Sequence, residues 1–510
     1  MVKDKNKTGH GETDRSDAYD RIIKYTGLFG GVQGIVALIT VVRAKLVSII
    51  LGPTGFGISE SFNRTLNLIK STTDLGVPFS AVKTVSECGA TNNPAELRNS
   101  ILITRTWAFI TSVAGMLLCI LLAPLFSSWA FEGDRGYTLS FLIMSPVAAF
   151  SAVNGGEMAI MKGTGMLRQL AQSQLISVAA TLCISIPLFW KFGLVGIAPS
   201  LVLVSFASMA VTCMYSFRMY PYRIRPFSKS TLTGGLGMIR LGVFFTITSF
   251  FGAGAFSIIA NYLMKHGNAE VTGIYSAGYL LVSYLGMFVF SAMESDYFPR
   301  LSAVNHDNAR INELVNSQAE VAILLMAPMV VGFIVFLGPI VNLLLTSRFG
   351  DAVPLARLAA IGLAFKAMTQ PLSYVSLAKG DSRTFMLQEV IYDIVFVTAV
   401  IGLFNMGGTT MIGAALMIAA VIDMVVVYLI TNLKYGVRYS RQAIRVFLIQ
   451  IPLIAGAWIL SNCLSGLWGW LSGSLILVLS SVCSLVYLKK HTSFIRSVSD
   501  KVKKKLGRNV

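Results

Sequence analysis

The sequence predicts an all-α polytopic membrane protein of about 14 transmembrane helices: two six-helix lobes related by a pseudo-two-fold axis along the membrane normal, plus two extra C-terminal helices. Three observations predict it. Fourteen apolar stretches fill the 510 residues almost end to end, basic residues crowd onto alternate connections, and landmarks recur at a near-constant offset. The composition agrees, with 54% hydrophobic and 13% charged residues and a mean hydropathy of +0.68, far from soluble-domain averages.

About 20 apolar residues cross a hydrocarbon core. The stretches are 27–51, 55–79, 101–125, 137–161, 170–190, 193–215, 235–263, 271–293, 319–345, 354–377, 385–404, 410–429, 444–461 and 467–488. Lys and Arg near span ends are retained on the cytoplasmic side. Of the 42 basic residues, 30 fall in the two tails and after even-numbered spans, and 4 (Arg135, Lys191, Lys265, Arg348) fall on the other face. Both termini are therefore expected in the cytoplasm. The net charge of +18 is accounted for by this topology and by inner-leaflet anchoring, which argues against a nucleic-acid partner.

The first twenty residues are too polar for the apolar core of a secretory signal, so 1–26 reads as a retained, poorly ordered cytoplasmic tail. At the other end, 491–510 places Ile495, Val498, Val502 and Leu506 on one face of a basic helix suited to an anionic lipid surface. The six cysteines are scattered singly, without CxxC, and the four histidines have no ligand spacing; no metal or cofactor is expected.

Thr54-Gly55 and Thr272-Gly273 lie 218 residues apart, while Lys162-Gly163 and Lys379-Gly380, like Gly196 and Gly413, lie 217 apart. The chain thus divides into an N-lobe (27–216), a basic interlobe loop (217–234) containing Pro221 and Pro226, and a C-lobe (235–432). Spans 13 and 14 (444–488) and a basic tail (489–510) follow. Repeats of this kind recur in alternating-access transporters.

Charges inside spans carry the functional expectation, because Lys or Arg at a helix centre costs about 2.5–3.5 kcal/mol on insertion scales. Arg105, Arg240 and Arg357 lie nearer span ends and read as structural. Arg43, Lys45, Arg64, Lys70 and Lys366 lie deeper and read as the walls of a cationic cavity that binds an anion. Arg43 and Lys45 are about 200° apart on a helical wheel, so only one can face its centre. Ser59, Asn63 and Asn67 recur with Lys70 and Asp74 along the second span as a polar lining, with Glu60 on an adjoining stripe. Asp74 and Glu60 are candidates for a coupling proton or ion. The competing reading is that the cations pair with Glu60, Asp74, Glu157, Glu389, Asp393 or Asp423.

Lys45 followed by Gly52-Pro53-Thr54-Gly55-Phe56-Gly57, then Arg64, Lys162-Gly163 and Phe298-Pro299-Arg300-Leu301-Ser302, resembles the bacterial lipid-linked oligosaccharide flippases of the Wzx type. These are the O-antigen and enterobacterial common antigen translocases of the multidrug/oligosaccharidyl-lipid/polysaccharide exporter superfamily. The resemblance covers roughly residues 20–432. It implies a two-lobed twelve-span core and export of an undecaprenyl-pyrophosphate-linked repeat unit to the periplasmic leaflet for surface polysaccharide assembly. It also implies a working monomer among membrane lipids, with Lys45 and Arg64 matching basic family positions. Partnership with a polysaccharide polymerase and chain-length machinery stays open. The last two spans depart from the twelve-span pattern.

Two other classes compete with this reading. A multidrug antiporter shares the superfamily, but its cationic cargo favours unpaired intramembrane carboxylates. A membrane enzyme, such as a polysaccharide polymerase, ligase or glycosyltransferase, needs a sizeable outer loop. The outer connections here are short, and 127–136 offers only Glu132, Asp134 and Arg135.

Overall fold

Backbone amides have no water to bond inside a bilayer, so apolar stretches of this length close their hydrogen bonds within helices. The computed structural model is all-helical and describes residues 7–91, 93–131, 134–226, 228–267, 269–344, 350–464 and 466–491. In chain order the helices are α1 (Lys7–Thr73), α2 (Val77–Ala90), α3 (Pro94–Leu121), α4 (Ala123–Ala130), α5 (Thr138–Gly163), α6 (Leu167–Phe192), α7 (Ile197–Met219) and α8 (Lys229–Gly234). There follow α9 (Leu236–His266), α10 (Ala269–Ala292), α11 (Phe298–Ala303), α12 (Asn308–Leu344), α13 (Ala352–Ala378), α14 (Ser382–Tyr435), α15 (Arg441–Cys463) and α16 (Gly466–His491). Among the described residues, eleven helical segments are long and apolar enough to cross a membrane. Two of them, Leu167–Met219 and Ser382–Tyr435, run to 53 and 54 residues and so hold two expected spans each.

The chain divides into two units. One comprises Gly31–Ile247 with Phe298–Val304, and the other comprises the segment up to Gly30, Thr248–Tyr297 and the chain from Asn305 onward. In the first unit, α5 packs against α2, α3 and α7, and α11 packs on α2. Its core centres on Phe62 of α1, 2% exposed, with the rings of Phe131, Tyr137 and Phe141 edge-on at 5.3, 5.8 and 5.3 Å. Edge-on aromatic pairs of this kind add to the burial gain.

In the second unit, α13 packs against α12, α14 and α10 over a core that includes Ile259, Tyr275, Leu355, Val400 and Ile412. The two extra C-terminal helices α15 and α16 pack on α12 and on each other. Buried Gln450 of α15 donates to Ser484 Oγ at 3.0 Å and accepts from Ser480 Oγ at 2.8 Å. Fully buried Glu320 of α12 accepts from Ser440 Oγ at 3.1 Å and Tyr487 Oη at 3.2 Å. Polar bonds of this sort supplement van der Waals packing where lipid removes any hydrophobic drive between helices.

The internal repeat is visible in the backbone, in a register the sequence landmarks miss. Helix α5 ends with Gly165 at φ 74° and α13 ends with Gly380 at φ 74°, 215 residues apart rather than 217. Both ends carry the same pair of capping bonds. Met166 N bonds Met161 O at 2.8 Å and Gly165 N bonds Lys162 O at 3.1 Å; Asp381 N bonds Ser376 O and Gly380 N bonds Leu377 O, each at 2.9 Å. This is the left-handed glycine stop that satisfies the last carbonyls of a helix. The same 215 separates Gly193 (φ 56°, ψ −132°) from Gly408 (φ 70°, ψ −152°), the turns that divide each double-length segment.

Three other expectations differ from the structure. Helix α1 already begins at Lys7, inside the stretch expected to be poorly ordered, as a continuation of the helix that the apolar residues after it nucleate. Gly52-Pro53-Thr54, expected as an outer loop, is helical backbone within α1. The second expected span is instead interrupted at Asp74-Leu75-Gly76, between α1 and α2. The amphipathic strip at the C-terminus lies outside the described residues.

Candidate functional site

The interruption after Thr73 is built by local chemistry. Asp74 Oδ1 accepts Gly76 N at 3.0 Å, an Asx-type turn, while Leu75 holds φ 50° and Gly76 φ 65°. Leu75 is the one described non-glycine residue at positive φ, a conformation that costs an L residue about 1–2 kcal/mol. The turn is tolerated because its backbone lies directly on α9. A Cβ on Gly76 would fall 2.3 Å from Gly242 O, and one on Gly242 would fall 2.2 Å from Leu75 O. In the second half of the chain, α10 passes into α11 through a π-helical turn, Met293–Tyr297, containing Glu294 and buried Asp296. Helix regularity therefore breaks within the second expected span of the first half and at the end of the second expected span of the other, and such irregularities gather at functional sites.

Beside the Asp74 turn, the C-terminal part of α1 presents two faces. Phe62, Thr65, Leu66, Ile69 and Thr73 are buried. Asn67, Leu68, Ser71 and Thr72 are exposed, and Asn63, Lys70 and Asp74 are half-buried at the border. Lys70 and Asp74 sit one turn apart, close enough for their charges to interact. Ser59 is buried at 5% exposure, and Arg43, farther up α1, is half-buried. The side chains of Lys45, Glu60 and Arg64 lie outside the described residues.

Lys366 belongs to the other unit, on α13. Its Nζ stands 2.8 Å from Asp423 Oδ2 of α14 and 3.5 Å from the centroid of the Tyr392 ring. Glu389 and Asp393 lie within electrostatic range of the same ammonium. Three carboxylates thus surround one lysine. Asp423, Glu389 and Asp393 are among the acids weighed as partners in the sequence; Tyr392 was missed, although Glu389, Tyr392 and Asp393 share one helix face at i, i+3 and i+4.

Arg105 has a structural partner set. Its guanidinium makes a two-pronged pair with Glu157, Nε to Oε1 at 2.7 Å and Nη2 to Oε2 at 3.0 Å. It also donates to Ser216 Oγ and to the carbonyls of Tyr220 and Pro221. The pair is 2% and 1% exposed, so α3, α5 and the end of α7 are locked through it. Arg357 similarly donates to Ile334 O at 2.9 Å and Ser461 O at 3.3 Å, tying α13 to α12 and α15.

A protein with this helical order and these intramembrane charges can be set against known families, and residues 46–354, more than half of the chain, match the profile described as polysaccharide biosynthesis protein. The chain belongs to the polysaccharide biosynthesis protein family. No curated protein matches it in sequence. Solved structures do match this family member. A Vibrio cholerae MATE transporter has a TM-score of 0.71 at 12% identity, covering 85% of this chain and 100% of that one. A MOP superfamily transporter from Pyrococcus furiosus, described by the reverse polarity of its binding pocket, gives 0.69 at 12%, covering 82% and 96%. An outward-facing multidrug resistance MATE transporter of the MOP superfamily gives 0.68 at 14%, again covering 82% and 96%. At these identities the likeness establishes the fold: the polysaccharide biosynthesis family member is a multi-pass membrane protein with the helical architecture of MATE transporters.

Proposed function

We propose that the protein is a Wzx-type flippase that moves an undecaprenyl-pyrophosphate-linked oligosaccharide from the cytoplasmic to the periplasmic leaflet by alternating access, for O-antigen or related surface polysaccharide assembly. The observation that carries this reading is the polar face of α1, where Asn67 and Ser71 are exposed and Lys70 is half-buried at the border although all three belong to a membrane span. Family membership supports a polysaccharide precursor as the cargo. A pyrophosphate and its sugars lose their water on entering hydrocarbon, and amide, hydroxyl and ammonium groups on such a face replace it. Lys70 with Arg43, Lys45 and Arg64 would bind the pyrophosphate; Lys366, in the other unit, would bind an anion only by giving up Asp423. Asp74 holds its turn through one oxygen and would offer the other, with Glu60, to a coupling proton or ion. Both termini are placed in the cytoplasm on the distribution of basic residues, and the protein is taken to work as a monomer.

An anion leaving the cytoplasm moves with an inside-negative potential, worth about 2.3 kcal/mol per charge per 100 mV. In proteoliposomes a fluorescent lipid-linked oligosaccharide should therefore change leaflet faster under that potential, and the Lys70→Ala protein should not move it. A second reading, export of a cationic drug, draws support from Glu389, Asp393 and Asp423 outnumbering Lys366. Exchange of a cationic dye for protons, without lipid movement, would select it.

A further inference from the structure

A cavity of about 460 Å³ opens where α3 begins and α7 ends, and its lining includes Arg98, Asn99, Arg105, Arg223 and Arg225. Arg105 is the buried floor, and its charge is matched by Glu157. Arg98, Arg223 and Arg225 are exposed and have no ion pair or hydrogen bond from their guanidinium groups among the described residues, so the mouth carries three uncompensated positive charges. The wall holding two of them is fixed. Arg105 binds the carbonyls of Tyr220 and Pro221 at 3.0 and 2.8 Å, and Arg225 N donates to Thr106 Oγ1 at 3.1 Å. Phe217 and Tyr222 also lie against the Arg105 guanidinium, at 5.0 and 5.3 Å.

We propose that this pocket binds a phosphate group carried on a lipid, with the oxyanion held by Arg98, Arg223 and Arg225. Guanidinium groups match phosphate oxygens with paired donors, and a fixed backbone removes the ordering penalty a free loop would carry. The pocket lies at the edge of the expected spans 101–125 and 193–215, where apolar stretches give way to charged residues and headgroups are expected. Leu102 and Met219 line it too, and Met219 is 60% exposed, which suits an apolar chain continuing from the phosphate. The site uses none of the residues assigned to translocation and stands apart from that assignment. A phospholipid headgroup, an isoprenoid diphosphate and a soluble phosphate share this chemistry.

The test uses the full chain in phosphatidylcholine nanodiscs, titrated separately with cardiolipin, undecaprenyl pyrophosphate and inorganic pyrophosphate, with bound probe read by native mass spectrometry. The Arg98→Ala/Arg223→Ala/Arg225→Ala protein should lose affinity about tenfold or more for the probe that binds, as charge-assisted phosphate contacts are removed. Loss for cardiolipin or for undecaprenyl pyrophosphate identifies the lipid, and binding of inorganic pyrophosphate alone would overturn the lipid assignment. A control protein, Arg383→Ala/Arg441→Ala/Arg445→Ala, removes three exposed arginines elsewhere and should bind as wild type. Unchanged affinity in the first triple variant, an equal loss in the control, or no binding of any probe to the wild type would each overturn the proposal. The unfolding temperature of both variants without probe separates lost binding from lost folding.

Discussion

Lys366 Nζ and Asp423 Oδ2 stand 2.8 Å apart across the α13–α14 packing, with the carboxylate 7% exposed. A buried pair gives little net stability over an apolar pair, yet removing one partner strands the other charge. Lys366→Met or Asp423→Leu alone should therefore destabilise the protein by about 3–5 kcal/mol, and the double variant should recover only part of that, because Glu389 and Asp393 lose the same ammonium. Thermal unfolding in detergent of the four proteins checks it; additive losses in the double variant would show that the pair is not a unit.

The Arg105–Glu157 pair is buried more deeply and carries three further bonds from the guanidinium. Arg105→Lys keeps the charge and loses the fork, so it should lower stability, but by less than Arg105→Ala, which strands the buried Glu157 carboxylate. The same variants should loosen the connection after α7, read as faster amide exchange at Tyr220 and Tyr222.

The Asp74-Leu75-Gly76 turn depends on backbone contact with Gly242. Gly76→Ala places a Cβ 2.3 Å from a carbonyl oxygen in a left-handed residue, and should cost about 1–3 kcal/mol by overpacking. Gly165→Ala, also at positive φ but with nothing within 4 Å of the new Cβ, should cost only the conformational penalty of about 1–2 kcal/mol. Comparing the two unfolding temperatures separates crowding from strain.

Asp381 at the start of α14 provides a pH dependence outside the spans. Burial raises its carboxyl, but bonds from Lys434, Tyr435 and Thr384 outweigh that and bring it down to about 2, below the ordinary value near 4. With a folded value below the unfolded one, the stabilisation is fully present above about pH 4. It is lost as pH falls through the folded value of about 2. The unfolding temperature should drop over that window, and Asp381→Asn should flatten the drop while lowering stability at neutral pH. A wild-type slope unchanged in the variant would remove Asp381 as its source.

Hydropathy made the membrane class legible because long apolar runs leave few alternatives, and the two extra helices α15 and α16 were visible for the same reason. The repeat was legible but shifted. Lys162-Gly163 and Lys379-Gly380 match as letters, whereas the backbone aligns Gly165 with Gly380, since the left-handed stop selects the glycine and not its lysine neighbour. Gly52-Pro53-Thr54 carries turn residues yet stays helical, while the true interruption, Asp74-Leu75-Gly76-Val77-Pro78, hides inside an apolar run. Its signals were present in Asp, Gly and Pro at turn spacing, but hydropathy alone weighs them as span. At the candidate site, Lys366 was found from depth alone. Tyr392 was missed because an aromatic residue in an apolar helix reads as packing until the ammonium is seen over its ring.

The most direct measurement is leaflet exchange of a fluorescent undecaprenyl-pyrophosphate oligosaccharide in proteoliposomes, with and without an inside-negative potential, for wild type, Lys70→Ala and Arg64→Ala. Potential-stimulated exchange by the wild type, abolished in both variants that still insert, is the expected result. Exchange at the wild-type rate in both variants would contradict a cationic path for the pyrophosphate.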